Sequence, residues 1–493
     1  MIKQGRVRWW FAVFLMVWLA SCQSSTITPE HPTALLSPSS PTAATVPSTA
    51  IPTRLVPSPP PLTPTLFWAR RDPQGTVFGV EMSSISASQG LERVAQAGTT
   101  WVRRAALEWK AVEAIQGVRD WGAVAGLKQE VQRAGANNLQ VILVVRGAPS
   151  WAAPRACGPI EADKLAALAD FMREAVGQFP TVRYWELWNE PDIDYALLSD
   201  PNSLWGCWGD GGDAAGYGGS GYAAMLQAVY PAVKAANPQA QVVAGALLLD
   251  CDPADPPPGK TEVDCVPARF LAGVLQAGGG AYLDGVSFHA YDYYWGQLGE
   301  YGSAFSAGSR WDTTGPVTVA KARFVKGVLA QYGVSGKFLM NTEAALLTGD
   351  NAACDSVCEM TKAFYVAQAY TSALAEGLWA NIWYSVLGWP GRNTALLDSS
   401  LNPLPAYTAY QTAAAILRNA VFQSEIAGYH GIRGYKFNRG DRNIWVLWSS
   451  DAVLHTVSLT PGTPHALFDA LGTPQSVTGS TLDVTQKPLY VEW

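Results

Sequence analysis

Short apolar stretches alternate with amphipathic stretches from residue 76 to about residue 420. Strands that alternate with helices are typical of parallel βα units. Eight such pairs predict an α/β fold, a (β/α)8 TIM barrel with enlarged loops, over residues 67–425. A doubly wound open sheet is the structural alternative, but the sequence has no Gly-rich phosphate-binding turn. The predicted strands are 76–82, 101–107, 140–146, 182–188, 241–247, 285–291, 338–343 and 380–386, and the predicted helices are 91–97, 124–134, 162–177, 222–236, 268–277, 317–332, 360–376 and 406–418.

Two of the predicted strands end in an isolated glutamate. The fourth strand runs into Asn189-Glu190-Pro191, and the seventh ends at Glu343. Active groups of a TIM barrel gather at the C-terminal ends of its strands, so we expect both glutamates at one rim. Two carboxyl groups are what glycosidic bond cleavage requires, because one protonates the leaving oxygen and the other attacks carbon or activates water.

The Asn-Glu-Pro triplet on strand four, together with the glutamate of strand seven, resembles the clan A (β/α)8 glycoside hydrolases. These are retaining enzymes that act on plant and microbial polysaccharides. The resemblance covers the barrel and implies that Glu190 is the general acid/base and Glu343 the nucleophile. It also implies that Asn189 hydrogen-bonds the sugar 2-hydroxyl. The residues after Glu343 lack a small polar signature found in some families of the clan, which leaves the family undecided.

The resemblance further implies a cation on strand two that keeps the nucleophile ionised. Arg104 is the predicted residue for this role, and its neighbour Arg103 is expected to point the opposite way on an ideal strand. Glu186 has the same strand parity as Glu190 and is expected to pair with an arginine in the barrel lumen. Glu81 and Glu108 receive no role.

Three further residues are predicted to bind substrate. His289 and Tyr291 share one face of strand six, and in the clan a His and a Tyr here contact the substrate and the nucleophile. A hydrogen-bonded core pair is the alternative for them. Trp383 on strand eight resembles the clan tryptophan that lies under the sugar at the cleavage point. Other tryptophans near the catalytic end serve either packing or sugar stacking: Trp151, Trp188, Trp205, Trp208, Trp295 and Trp389.

The helical period disappears in residues 426–493, where alternating stretches predict a small all-β sandwich packed on the barrel. This part could bind sugar, but a structural cap is the simpler interpretation.

The N-terminus predicts export. Residues 1–21 have a charged leader followed by a short apolar stretch, as in a signal peptide. Leu19-Ala20-Ser21-Cys22 resembles the lipobox of bacterial lipoproteins, so Cys22 is the predicted lipidation site. Residues 22–66 are rich in Ser, Thr and Pro and predict a disordered tether. The expected location is the bacterial cell envelope, outside the cytoplasm and anchored to the membrane through Cys22; an ordinary cleaved signal peptide is the alternative.

Six cysteines remain after Cys22, and export would place them in an oxidising compartment. They fall as neighbours along the chain, which favours one of the 15 possible disulfide connectivities. The expected pairs tie down loops: Cys157 with Cys207, Cys251 with Cys265, and Cys354 with Cys358.

Composition narrows the class of partner. The chain has 493 residues with 15% charged residues and a net charge of −6, so it lacks the basic surface that nucleic acids require. A poly- or oligosaccharide is the expected partner, with no cofactor and no metal. The sequence therefore predicts a retaining glycosidase that cleaves β-glycosidic bonds. The alternatives are an α-L-arabinofuranosidase of the same clan and a non-catalytic, glycan-binding surface lipoprotein.

Overall fold

The computed structural model describes residues 76–256, 262–303, 311, 315–459, 462–476 and 479–493. The predicted signal peptide, the lipidation site Cys22 and the tether of residues 22–66 lie outside the described residues. None of the helices in the described ranges combines the length and the apolar character that crossing a membrane requires.

Eight parallel strands form the centre of the molecule. Each pairs with the next along the chain, and β8 pairs back with β1, so the sheet is a closed barrel. A short strand, Tyr301–Gly302, pairs antiparallel with the end of β6 at the rim. The barrel strands are β1 Phe78–Glu81, β2 Trp101–Glu108, β3 Gln140–Arg146, β4 Tyr184–Leu187, β5 Gln241–Leu247, β6 Gly285–Tyr294, β7 Phe338–Leu347 and β8 Ala380–Trp383.

A helix follows each strand, which confirms the predicted (β/α)8 barrel. The helices are α1 Leu91–Gln96, α2 Ala125–Ala136, α3 Leu165–Gln178, α4 Gly219–Ala236, α5 Phe270–Gln276, α6 Val317–Gln331, α7 Ser356–Ala375 and α8 Pro405–Leu417. The strands β6 and β7 run beyond their predicted ends because they continue to pair with each other as far as Tyr293 and Leu347. Glu343 therefore lies inside β7 instead of at its end.

Successive side chains of each strand point alternately into the lumen and towards the helical layer. Trp101, Ile142, Tyr184 and Phe338 pack with others in a small cluster that fills one layer of the barrel. Their strand neighbours, such as Val102 and Leu143, belong to the larger core shared with the helices. A filled layer of this kind closes the barrel interior, so chemistry is confined to the rim formed by the strand C-termini.

The C-terminal part consists of two antiparallel sheets, in agreement with the predicted all-β domain. One face of the larger sheet packs with the barrel helices through Tyr435, Phe437 and Tyr490. Its other face and the smaller sheet share a second core that includes Leu447 and Val484. The larger sheet contains β9 Val421–Glu425, β10 Ile432–Arg439, β11 Arg442–Ser449, β13 Ala466–Asp469 and β15 Leu489–Glu492, and the smaller sheet contains β12 His455–Ser458 and β14 Thr481–Val484.

Three disulfides form with the predicted pairing: Cys157–Cys207, Cys251–Cys265 and Cys354–Cys358. The first joins the loop after β3 to the loop after β4. The loop that carries the Asn-Glu-Pro triplet is therefore tied to its neighbour at the rim.

Candidate active site

Arg103 lies fully buried in the lumen at the centre of a cluster of polar side chains. Its Nη1 donates to Glu343 at 2.5 Å and to Glu81 at 2.7 Å, and its Nε donates to Glu186 at 2.7 Å. Its Nη2 donates to Oδ1 of Asn189 at 2.5 Å. A planar guanidinium suits this role because its donors point in fixed directions. The pairing of Glu186 with a lumen arginine confirms the prediction for that carboxylate.

The two predicted catalytic glutamates meet beside this cluster. A carboxyl oxygen of Glu190 and one of Glu343 lie within 4.8 Å of each other, together with a ring nitrogen of His289. The His289 Nδ1 is 3.0 Å from Oε1 of Glu190 and 3.4 Å from Oε2 of Glu343. Tyr291 donates its hydroxyl hydrogen to Glu343. The structure thus brings together five of the predicted site residues, counting Asn189 beside Arg103.

The backbone after β4 places Glu190 in this position. Trp188 and Glu190 have φ values of 68° and 48°, in the left-handed region that few residues other than glycine adopt. Backbone hydrogen bonds hold both residues: Trp188 N donates to Val145 O at 2.8 Å, and Glu190 N donates to Ala246 O at 3.0 Å. Bonds to the strands on either side therefore fix the unusual turn that directs the carboxyl group inward.

The two carboxyl groups differ in their electrostatic environment. Burial raises the pKa of Glu190 to about 7, while the charges of Arg103 and Lys321 act in the opposite direction. Burial also raises the pKa of Glu343 above its ordinary value; His289 and Arg103 oppose the increase, and Glu81 and Glu190 add to it. Only Glu343 has direct ionic contact with Arg103 and a hydrogen bond from Tyr291. Of the two, Glu343 is therefore the better candidate for the ionised form and Glu190 for the protonated form.

His289 is neutral at physiological pH because burial lowers the pKa of its imidazole to about 4. With its proton on Nδ1, the ring donates to Glu190. Its Nε2 is buried and has no hydrogen-bond partner within the described part of the chain. The ring can therefore orient the acid, but it does not carry a positive charge.

Arg104 lies outside the lumen, which corrects the prediction that it accompanies the nucleophile. Strand β2 alternates so that Arg103 shares the inward face with Trp101, whereas Arg104 points to the helical layer. The Arg104 Nε donates to Glu130 of α2 at 2.6 Å. Both residues lie on a strand that is covered on both faces. The apolar and polar pattern of the sequence therefore could not show which arginine points into the lumen.

Trp383 is also placed differently from the prediction. Its side chain is fully buried, packs in the core with the helices, and donates its Nε1 hydrogen to Thr394 O at 2.7 Å. Ile382 occupies the inward face of β8, so the opposite parity directs Trp383 away from the lumen. A sugar cannot reach this ring.

Tyr384 and Trp389 line the cleft instead. Their ring centroids are 5.5 Å apart, and each ring is within 6.5 Å of Tyr291. Trp389 remains 38% exposed, so its face is available for stacking. Of the other tryptophans, Trp188 and Trp208 are buried, whereas Trp205 and Trp295 are exposed.

A cavity of about 300 Å3 opens at the rim between the loops that follow β1 and β8. Glu81, Ser83, Gln89, Tyr384 and Trp389 contribute to its wall. Glu81 was not assigned from the sequence, although it is a carboxylate at the C-terminal end of a strand, the same signal that identified the other two. The volume is at the lower end of the range for small-molecule sites, and the mixture of aromatic and polar groups suits a sugar unit.

Glu190, His289 and Glu343 could each offer one ligand atom to a metal ion. The Arg103 guanidinium, however, already holds a carboxyl oxygen of Glu343 at 2.5 Å and would repel a cation at that point. The donor set is therefore better suited to proton transfer and nucleophilic attack than to binding a metal.

No protein-family model and no curated protein matches this chain. Solved structures do match in fold. A family 39 glycoside hydrolase from the gut symbiont Bacteroides cellulosilyticus WH2 has 20% identity and a TM-score of 0.64, over 85% of this chain and 81% of that chain. A monomeric β-xylosidase from Caulobacter crescentus CB15 has 16% identity and a TM-score of 0.55, over 86% and 97%. A family 30 endoxylanase from Clostridium papyrosolvens C71 has 12% identity and a TM-score of 0.55, over 86% and 98%. At these identities the likeness shows a shared fold.

Proposed function

We propose that this protein is a retaining glycoside hydrolase that cleaves β-glycosidic bonds in a poly- or oligosaccharide by double displacement. The observation that carries the proposal is the pair Glu190 and Glu343, whose carboxyl oxygens lie within 4.8 Å. Retaining enzymes hold their two carboxyl groups about 5–5.5 Å apart, whereas inverting enzymes need about 6.5–9.5 Å to admit a water molecule between them. The spacing supports direct attack by one carboxylate.

In the first step, Glu343 attacks the anomeric carbon and Glu190 gives its proton to the glycosidic oxygen as the bond to the leaving group breaks. In the second step, Glu190, now ionised, takes a proton from water. The resulting hydroxide replaces Glu343 at the anomeric carbon, and the two carboxyl groups return to their starting forms.

The surrounding residues support this division of roles. Arg103 and Tyr291 both contact Glu343 and stabilise its negative charge. Glu343 loses this charge in the covalent intermediate and regains it when the intermediate hydrolyses. Arg103 also donates a hydrogen bond to Oδ1 of Asn189, so the amide Nδ2 can donate to a sugar hydroxyl. Among the described residues no side chain accepts from that Nδ2. An orienting hydrogen bond of this kind makes the amide a fixed donor at the cleavage point.

The similar structures and the cleft support the proposed substrate class. The neighbours in fold are described as a xylosidase and a xylanase, among other glycoside hydrolases. Trp389 and the cavity beside Glu81 offer a stacking face and hydroxyl acceptors for a glycan unit. A panel of aryl β-glycosides, aryl α-L-arabinofuranosides and plant polysaccharides therefore tests the proposal most directly.

The decisive experiment combines turnover with product stereochemistry. Wild-type protein should release product whose first-formed anomer has the configuration of the substrate, as followed by proton NMR. A 2-fluoro glycoside with a good leaving group should label Glu343, detected by peptide mass spectrometry. Glu190→Gln and Glu343→Gln should each lower turnover by at least ~10²-fold. Glu161→Gln, an exposed substitution on the β3–α3 connection, provides the matched control.

Two results would contradict the proposal. An inverted first product would mean that Glu343 does not attack carbon. Binding of glycans by the wild-type protein without turnover on any member of the panel would instead favour a non-catalytic glycan-binding role.

We also propose that the protein is exported and anchored to the membrane through a lipidated Cys22. The three disulfides support an oxidising compartment, where such bonds persist. Cys22→Ala should move the protein from the membrane fraction to the soluble fraction of its native host without changing its disulfides. Retention in the membrane fraction would refute lipid anchoring at this residue.

A further inference from the structure

Arg146 is the last residue of β3 and lies at the catalytic rim. On this strand Ile142 faces the lumen, while Val141, Leu143 and Val145 pack against the helical layer. The two-residue period therefore directs Arg146 to the inward face, two steps beyond Ile142. It is a cation at the open end of the barrel.

The groups around Arg146 belong to the active site. The charges of Glu81, Glu343 and Arg103 act on its guanidinium, as does that of Glu108 on the neighbouring strand β2. The carboxylates of Glu81 and Glu343 already accept hydrogen bonds from Arg103. Glu108 lies 3.7 Å from the Nζ of Lys110. The nearby acids are thus engaged with other cations.

Arg146 itself has no carboxylate partner and no hydrogen-bond acceptor within the described ranges, and its Nε is buried without a partner. Burial together with the charge of Arg103 lowers the pKa of its side chain, although an arginine remains charged at any physiological pH. A partly buried guanidinium without an acceptor is unfavourable in a folded protein. A ligand oxygen at the rim would give this guanidinium an acceptor.

A second observation extends this basic character along the rim. A cavity of about 260 Å3 lies between the loops that follow β2 and β3, and Lys110 and Arg155 contribute to its wall. The Arg155 guanidinium lies 3.3 Å from the centre of the Tyr195 ring and forms no ion pair with any described carboxylate. The opposite side of the glutamates, next to β1 and β8, presents Glu81, Ser83 and Gln89. The β2–β3 side therefore carries the cations Arg146, Lys110 and Arg155 against the carboxylate Glu108, whereas the β1–β8 side presents Glu81 among neutral groups.

From this asymmetry we propose that the β2–β3 side of the cleft binds an anionic group of the glycan, and that Arg146 is the residue that recognises it. A uronic acid carboxylate and a sulfate ester share the required chemistry, since each offers two oxygens in the spacing of a guanidinium fork. This inference rests on the proposed glycosidase function and specifies its substrate as an acidic glycan.

The experiment compares each acidic polysaccharide with its own neutral counterpart. Glucuronoxylan, polygalacturonate and alginate are used before and after chemical reduction of their carboxyl groups, and a sulfated galactan before and after desulfation. Hydrolysis is followed by reducing-end release with the full-length protein. Binding is measured separately with Glu343→Gln by affinity electrophoresis, so that recognition can be read without turnover.

The variants are Arg146→Gln and Arg146→Lys, with Arg173→Gln as a control of equal charge change on the exposed face of α3. Wild type should favour at least one acidic polymer over its neutral counterpart by roughly 10- to 100-fold in kcat/KM, the range of one charged hydrogen-bonded contact. Arg146→Gln should remove that preference by lowering kcat/KM on the acidic polymer and not on its neutral counterpart. Arg146→Lys should retain part of it, and Arg173→Gln all of it.

The outcomes separate this inference from the proposed function. Hydrolysis of glycans with no preference for the acidic form overturns the inference and leaves the function intact. Acid-selective binding that depends on Arg146, without turnover by wild type, supports the inference and overturns the function. An equal loss on acidic and neutral polymers in Arg146→Gln, or no binding to any acidic polymer, overturns the inference. The polymer that shows the preference distinguishes carboxylate from sulfate.

Discussion

Substituting Glu190 by glutamine tests the acid assignment through pH dependence. Burial raises the pKa of this carboxyl group from 4.5 to about 7. Because one pH unit corresponds to about 1.36 kcal/mol, the change favours the protonated form by about 3 kcal/mol. At pH 7 the protonated fraction increases from about 0.3% to about 50%, roughly 150-fold. Enclosure of the side chain in the barrel rim therefore keeps about half of the Glu190 carboxyl groups protonated at pH 7, as the proposed acid role requires.

The assay is kcat/KM against pH on two aryl glycosides that differ in leaving group. Wild type should lose activity above about pH 7 as Glu190 ionises. Glu190→Gln should lack this basic limb. Its activity should decrease by ~10²- to 10⁴-fold on a poor leaving group and by much less on a dinitrophenolate, which departs without protonation.

The same pKa makes a prediction for stability. A carboxyl group whose folded-state pKa is above its ordinary value opposes ionisation, so stability falls as pH rises from about 4.5 to about 7 and changes little above that. Glu190→Gln should be more stable than wild type at pH 8 by up to about 3 kcal/mol, and equally stable at pH 4. Denaturant unfolding at the two pH values measures this difference.

The reasoning about Glu190 fails on either of two results. An unchanged basic limb in Glu190→Gln would assign that limb to another group. A variant that is less stable than wild type at pH 8 would show that the ionised carboxylate is favoured in the fold.

Other substitutions test the placement of individual side chains. Arg103→Gln should cost about 3–5 kcal/mol in unfolding experiments and at least ~10²-fold in kcat, because it leaves buried carboxylates unpaired; Arg104→Gln should retain most of the activity. Tyr291→Phe should lower kcat by about 10-fold while circular dichroism stays unchanged, since one hydrogen bond to Glu343 is lost. Trp389→Ala should raise KM with little effect on the melting temperature, whereas Trp383→Ala should destabilise the fold by about 3–5 kcal/mol.

The sequence was sufficient to predict the fold and the proximity of the two glutamates, because both depend on short-range patterns. Apolar period and chain order predict the strands, and barrel topology brings every strand C-terminus to one rim. Glu190 and Glu343 are 153 positions apart, yet the (β/α)8 repeat alone places them together.

The errors concern which face of a strand a side chain occupies. On β2 and β8 both faces are buried, so the sequence shows no polar alternation that could mark the lumen. For that reason the sequence predicts Arg104 instead of Arg103 beside Glu343, and a sugar contact for Trp383, which the structure buries. The inward face of β8 becomes visible only in the structure, where Ile382 of that strand packs in the lumen cluster with Trp101 and Phe338 of other strands.

In the proposed mechanism, Arg103 is the residue that makes Glu343, and not Glu190, the nucleophile. Both Glu190 and Glu343 are buried, and burial alone would raise the pKa of each. The guanidinium cannot neutralise every carboxylate it touches, because one positive charge faces Glu81, Glu186 and Glu343. Its fixed fork reaches Glu343 but leaves Glu190 to His289, which is neutral. The direction of the Arg103 side chain therefore gives the two carboxyl groups different surroundings, as the proposed mechanism requires, and a lysine at this position could not keep all of these contacts.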